Sequence, residues 1–414
     1  MFRTAILLLM PAVVHAALPL ANPVTFESCR MSVAASNPDL LSAQESLRSQ
    51  EELAAGSYSA FFPSVNASLG MTRTSPGRTL EPQALSSLGV SYNLFSGFRD
   101  RARVRSARAN LEISRASLDS VRAKVSFQLR QAFAQALYAK ENVVLTRAIR
   151  ERRAQNERLV RAQYESGREN EGSYQFSKGL LEQAEYDERV ARDQEVIAAQ
   201  NLSHVAGFDS TSILVEGDVP VSAPPAEADA TKLLVLTPAH RIQTARIELA
   251  DAQFESARSG FIPSLDLSGN LSYLGTRPTL EENRSLGIGI TLTIPLFSGL
   301  STFRDLRSAG ALQESAIQNK VSVDFETLSG LRQALFTFQQ SIQKLKVDTN
   351  LKNAATIRAT IARKRYNHGL LMFEQWDIIE TDLINRQKNA LASKRDRIIA
   401  EGAYRQIQGL GDFP

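Results

Sequence analysis

The chain has 414 residues, 43% hydrophobic and 22% charged, and its 48 basic and 44 acidic side chains leave a formal net charge of only +4. Such near-cancellation excludes the strong single-sign field on which a nucleic-acid binder relies. A single cysteine, Cys29, excludes an intramolecular disulfide, so stability in an oxidising compartment has to come from packing.

In chain order, Arg3 precedes an apolar run from Ala5 to Val14, and Val14-His15-Ala16 ends in small-residue cleavage chemistry. Residues 1–16 therefore read as a secretory signal peptide, too short to be a transmembrane helix. Cys29 lies well beyond it, in Phe26-Glu27-Ser28-Cys29, without the small apolar neighbours of a lipidation site. No later stretch is apolar for long enough to cross a bilayer as a helix, so any membrane contact must be made by strands.

Residues 17–206 form a first repeat. Asn37-Pro38-Asp39 caps a predicted helix from about Leu40 to Ser59, with Leu41, Leu47 and Ala54 on one side. Period-two alternation then predicts strands over about 63–73 and 84–96: Val65, Ala67, Leu69 and Met71 on one face, then Leu88, Val90, Tyr92 and Leu94. A turn-rich segment holding Pro76-Gly77 separates them. From Gly97 to Gly167 there is no proline and no internal glycine, which predicts a helix of about 70 residues, roughly 100 Å long. Val125, Leu129, Ala132, Ala136, Ala139 and Val143 repeat along it in four-three steps, the seam of a coiled coil. A second helix, about Tyr174 to Val205 with Tyr186 and Val190 on its apolar side, folds back to complete the helical hairpin 97–206.

Residues 207–231, with Pro220, Pro224 and Pro225, form a linker or equatorial segment. Residues 232–414 then replay the first half. A helix starts at Thr237-Pro238-Ala239, strands are predicted over about 263–274 and 285–298, and a helical hairpin fills 299–410 with a seam through Leu328, Leu331, Leu335, Phe338, Ile342 and Leu345. Leu94-Phe95-Ser96-Gly97 recurs as Leu296-Phe297-Ser298-Gly299, 202 residues later. Phe61-Phe62-Pro63-Ser64 is echoed by Phe261-Ile262-Pro263-Ser264, and Tyr164/Gly167 by Tyr366/Gly369. The expected fold class is a membrane α/β protein with a two-fold internal repeat.

Four strands with one apolar and one polar face suit neither water nor, as an open sheet with two bare edges, hydrocarbon. Closure with strands of other chains resolves both problems. Phe61, Phe62, Tyr92, Phe95, Phe261, Tyr273 and Phe297 suit interfacial girdles.

With its six junctions in order, the chain resembles the TolC family of outer-membrane efflux proteins over nearly its whole mature length. The resemblance implies a homotrimer whose four strands per chain build a twelve-stranded transmembrane β-barrel, continued by a coiled-coil periplasmic tunnel. It also implies placement in the cell outer membrane with a large periplasmic portion, in contact with outer-membrane lipid. The partners implied are a periplasmic adaptor (membrane fusion) protein and an inner-membrane pump, as in tripartite efflux or type I secretion. The function expected is a passive exit duct, and the competing reading is a non-conducting periplasmic coiled-coil structural or adaptor protein.

The family's entrance is narrowed by acidic side chains just after the second hairpin tip. Ungapped comparison puts Gln375 and Ile378 there, while Glu374 and Asp377 lie one residue earlier with the same spacing. Either the register slips by one and these acids form the constriction, or the entrance is gated differently. Gly167, Arg168, Gly369 and Leu370 are the expected hairpin tips for adaptor docking. Phe95, Ser96, Gly97, Phe297, Ser298 and Gly299 are the expected barrel-to-tunnel hinge. Arg99, Arg101, Arg103, Arg105 and Arg108 lack interleaved aromatics and read as intersubunit salt bridges or a positive collar, with no nucleic-acid partner. His204, His240 and His368 have no metal-ligand spacing, and no nucleophile motif or phosphate loop appears, so neither enzymatic chemistry nor a cofactor is expected.

Overall fold

A computed structural model describes residues 23–74, 81–208, 213–225, 229–275 and 284–413. The expected signal peptide and Pro76-Gly77 lie outside them. Helices are α1 (Phe26–Ser36), α2 (Pro38–Gly56), α3 (Arg99–Glu165), α4 (Glu171–Ala206), α5 (Ala230–Leu236), α6 (Pro238–Arg258), α7 (Ser301–Asn367) and α8 (Phe373–Ile407). Strands are β1 (Ser64–Thr74), β2 (Glu81–Phe95), β3 (Ser264–Gly275) and β4 (Arg284–Thr293). No helix among the described residues is long and apolar enough to cross a membrane.

The chain divides into two compact units, each drawn from both halves of the sequence: residues 43–118 with 234–328, and residues 1–42, 119–233 and 329–414. The first holds the sheet, in the order β1-β2-β3-β4 with every neighbouring pair antiparallel. Register pairs Val65 with Val90, Leu88 with Leu271, Tyr92 with Leu267 and Ile290 with Leu267, so the apolar positions of all four strands share one face. Leu69, Met71, Ile288 and Ile290 on that face are all more than 60% exposed. Ser64, Asn66, Ser91, Asn93, Asp266, Ser268, Gly289 and Thr291 alternate onto the other face. β4 ends at Thr293 rather than near 298, because Pro295 has no N–H to give a ladder and constrains Ile294 before it. A register shift between Asn93 and Phe95 sets Phe95 opposite Leu265, where strict alternation had placed Leu94 on the apolar side.

In the same unit α2, α6 and the first turns of α3 bury small residues, Ala54, Ala102, Ala109, Ala245 and Ala252. Arg105 pairs with Glu255 at 2.6 Å, and Arg108 hydrogen-bonds the Tyr58 hydroxyl while lying over its ring. Two of the five arginines read as intersubunit salt bridges or a positive collar thus have partners inside their own chain; Arg99, Arg101 and Arg103 are exposed.

In the second unit Val125, Leu129, Ala132, Ala136 and Ala139 of the predicted α3 seam are buried, and Val143 is partly buried. The α4 seam differs from expectation. Ser177, Ala184, Glu188, Ala191, Ala198 and Leu202 are buried, whereas Tyr186 is 61% exposed and Val190 only partly buried, so the inward line of α4 runs mostly through small side chains. Helix α1 was not foreseen. A reciprocal cap between Thr25 and Ser28 starts it, and Phe26, Cys29 and Val33 enter the main apolar cluster with Val125, Leu129 and Phe133. Burial pushes the Cys29 thiol up to about 12, which leaves it unreactive. The expected linker is also part of this core: Val24 and Val215 form a parallel bridge, and Ile213, Val215 and Val219 are buried. Buried Arg130 holds Asp412 with two bonds of 2.6 and 2.8 Å and donates to the Pro220 carbonyl at 3.0 Å, fastening α3 to the linker and the chain's last residues.

Candidate functional site: junctions, polar sheet face and hairpin tips

At each strand-to-helix junction the backbone makes a tight reversal. Gly97 and Phe98 have φ of +64° and +72°, and Gly299 and Leu300 repeat this with +64° and +70°. Ser96 and Ser298 carbonyls accept from the N–H groups of Arg99 and Ser301, both at 3.3 Å, closing turns whose two central residues have positive φ. Ser96 Oγ then caps α3 by accepting from Asp100 N–H at 3.1 Å, and Ser298 shares a 2.6 Å hydroxyl contact with Thr302. Of the residues expected to form a hinge, Ser96, Gly97, Ser298 and Gly299 are in these turns, and Phe95 and Phe297 directly precede them. Phe98 and Leu300 belong with them, and no residue-type signal marks them, since left-handed backbone in a bulky residue is uncommon. The two copies differ in surroundings. A Cβ at Gly97 would lie 3.0 Å from both Ile262 Cβ and the Ser259 carbonyl oxygen, whereas one at Gly299 would meet nothing within 4 Å. Phe95 packs edge-on against Phe98 with ring centroids 5.2 Å apart, and Phe297 is 80% exposed.

The polar sheet face carries a side-chain network close to the first junction. Asn93 Nδ2 donates to Asp266 Oδ1 at 2.6 Å, Ser264 Oγ donates to Asp266 Oδ2 at 3.5 Å, and the Ser64 and Ser91 hydroxyls are 2.6 Å apart.

Both long hairpins turn through the same cap. Gly167 and Gly369, with φ of +75° and +71°, accept left-handed backbone without cost. Arg168 and Leu370 N–H groups reach back five residues to the Gln163 and Arg365 carbonyls, each at 2.9 Å. Arg168 is exposed and Leu370 is 66% exposed, so both tips present side chains outward. Behind them, Tyr366 and Trp376 stack with centroids 4.2 Å apart, enclosed by Val160, Ala362 and Phe373. Trp376 is thus packing for the tip. The Tyr366 hydroxyl donates to Glu169 at 3.1 Å, and burial, with that carboxylate beside it, pushes the phenol well above its usual range.

Helix α8 carries the gate candidates in its first turns. Glu374, Gln375 and Ile378 are exposed, Ile378 at 66%. Asp377 is separated from them: it is mostly buried and accepts from Arg153 at 2.7 Å, while the same guanidinium donates to Thr381 at 2.9 Å. One residue earlier on α3, Arg152 holds Glu380 with bonds of 2.5 and 2.8 Å, and Asn156 adds a third at 3.3 Å. Glu380 is 1% exposed. Arg363 of α7 lies beside this network, its guanidinium lowered by burial first and then by the nearby Arg152 charge. Neither Arg152 nor Glu380 was singled out from the sequence, because a pairing across 228 positions leaves no local pattern.

Comparison with known proteins places these features. The model of the family described as "Outer membrane efflux protein" matches residues 31–207 and 232–410. Alkaline protease secretion protein AprF of Pseudomonas aeruginosa is 24% identical over 308 residues, covering 70% of this chain but only 63% of that protein. Among solved structures, VceC from Vibrio cholerae superposes with a TM-score of 0.84 at 18% identity, over 93% of this chain and 96% of that one. CusC, from work on transmembrane channel formation, gives a TM-score of 0.83 at 16% identity over 93% and 92%. The open state of the Neisseria gonorrhoeae MtrE outer membrane channel gives 0.79 at 18% identity over 94% and 89%. Sharing its fold with these proteins and matching the family model in both halves, the chain belongs to the outer membrane efflux protein family.

Proposed function

We propose that three copies of this chain close their sheets into one twelve-stranded barrel and form a passive exit duct across the outer membrane. The observation that carries the reading is the sheet itself: one continuous apolar face, one polar face and, among the described residues, β1 and β4 each with a single partner strand. In lipid the bare edges would each leave a row of unsatisfied backbone groups, and closure with identical sheets removes them while turning the polar face to the lumen. A non-conducting periplasmic coiled coil would have no use for Leu69, Met71, Ile288 and Ile290 held outward on strands.

The duct serves an adaptor and an inner-membrane pump, in a tripartite efflux or type I secretion machine. The relative named for alkaline protease secretion supports the secretion role. The exposed tips at Gly167-Arg168 and Gly369-Leu370 dock the adaptor. The entrance is lined by Glu374, Gln375 and Ile378, and Asp377 acts through its bond to Arg153, holding α8 against α3 in the resting arrangement. Opening is then a switch between packed arrangements of the hairpins.

Planar-bilayer recording of the purified oligomer tests this. Discrete conductance steps are expected, with more frequent or larger openings when Asp377→Asn frees Arg153. An assembled oligomer that stays silent both as wild type and with Asp377→Asn would overturn the duct reading.

A further inference from the structure

We propose that Asp266 gives the strand-lined part of the duct a preference for cationic and neutral solutes over anionic ones, an inference that rests on the trimeric reading above. Across the paired segments 64–70, 85–93, 266–272 and 285–293, the polar face carries serine, threonine, asparagine and glycine almost throughout. Asp266 is the one ionisable residue on that face within those segments. Its hydrogen-bond partners, Asn93 and Ser264, are neutral. Other carboxylates have their charge answered by arginine: Asp377 by Arg153, Asp382 by Arg386, Asp396 by Arg395 and Glu255 by Arg105. Among the described residues no basic side chain pairs with Asp266.

Three-fold symmetry would repeat this carboxylate three times at one level of the barrel wall, beside the segments above, which carry no basic side chain on that face. Such charges act over a screening length of about 10 Å at 0.1 M salt and about 30 Å at 0.01 M, so in dilute salt their fields merge across the lumen. Cations are then concentrated in this segment and anions depleted. Asn93 does more than fill space here. It sits at the register shift in β2 and fixes the carboxylate against the sheet, leaving its charge in place.

The test is the reversal potential of the purified trimer in a planar bilayer under a KCl gradient at low ionic strength. Asp266→Asn, which keeps the hydrogen-bonding shape, should lower the cation-to-anion permeability ratio roughly two-fold or more, with Asp266→Ser as a second neutral variant. Asp266→Glu should keep the wild-type ratio, Asp266→Lys should move it further toward anions, and the differences should fade near 1 M salt. Unchanged selectivity in conducting Asp266→Asn and Asp266→Ser trimers would overturn the inference and leave the duct standing. Absence of conductance in the wild type as well would instead remove the duct reading beneath it.

Discussion

Replacing Arg152 with alanine is expected to cost about 3–5 kcal/mol at the tip, because it leaves the Glu380 carboxylate, 1% exposed, without its guanidinium partner. Asn156 remains at 3.3 Å, but one neutral donor does not replace two charge-assisted bonds. The reverse change should be milder. Glu380→Ala leaves Arg152, whose side chain is 26% exposed, able to turn toward water, at a cost of about 1–2 kcal/mol. The double variant should then be more stable than Arg152→Ala alone, since the stranded carboxylate is gone. Hydrogen exchange at the α8 amides around Trp376 to Ile384 reads this directly, as faster local opening in Arg152→Ala. Equal effects of the two single variants, or costs that simply add in the double, would show that Glu380 is not held by Arg152.

Valine at Gly97 is expected to impair assembly far more than valine at Gly299. Both glycines have φ of +64°, so left-handed backbone costs a β-branched residue about 1–2 kcal/mol at either place. Only at Gly97 would the new Cβ also press within 3.0 Å of Ile262 Cβ and the Ser259 carbonyl, and displacing that packed backbone adds about 1–3 kcal/mol. Oligomer yield in detergent and the urea midpoint should fall strongly for Gly97→Val and slightly for Gly299→Val. Matching losses would mean that turn conformation alone, and not the contact with the 259–262 segment, fixes the first junction.

These contrasts mark what a single sequence conveys. Alternation in Val65 to Met71 and Leu286 to Leu292 is a local property, so strand positions and the shared apolar face were legible. Long proline-free runs bounded by Gly167 and Gly369 likewise announced the helical hairpins and their caps. Helix α1 had a readable signal in Thr25 and Ser28, obscured by Pro23 just before it and Pro38 soon after. Tyr186 lies elsewhere because periodicity assigns large apolar residues to a seam, while the buried line of α4 runs through Ser177, Ala184, Ala191 and Ala198. At the candidate gate, spacing grouped Glu374 with Asp377, but Arg153 draws Asp377 inward and leaves Glu374 beside Gln375 and Ile378 at the surface. Positive φ at Phe98 and Leu300 follows from the turn geometry each junction adopts, which residue type does not disclose.

A duct requires closure of this four-stranded sheet, whose two outer strands each have one neighbour among the described residues. Native mass spectrometry of the detergent-extracted protein counts the chains that achieve it. Three chains per particle are predicted; a monomer, or any number whose strands do not total twelve, would contradict the account.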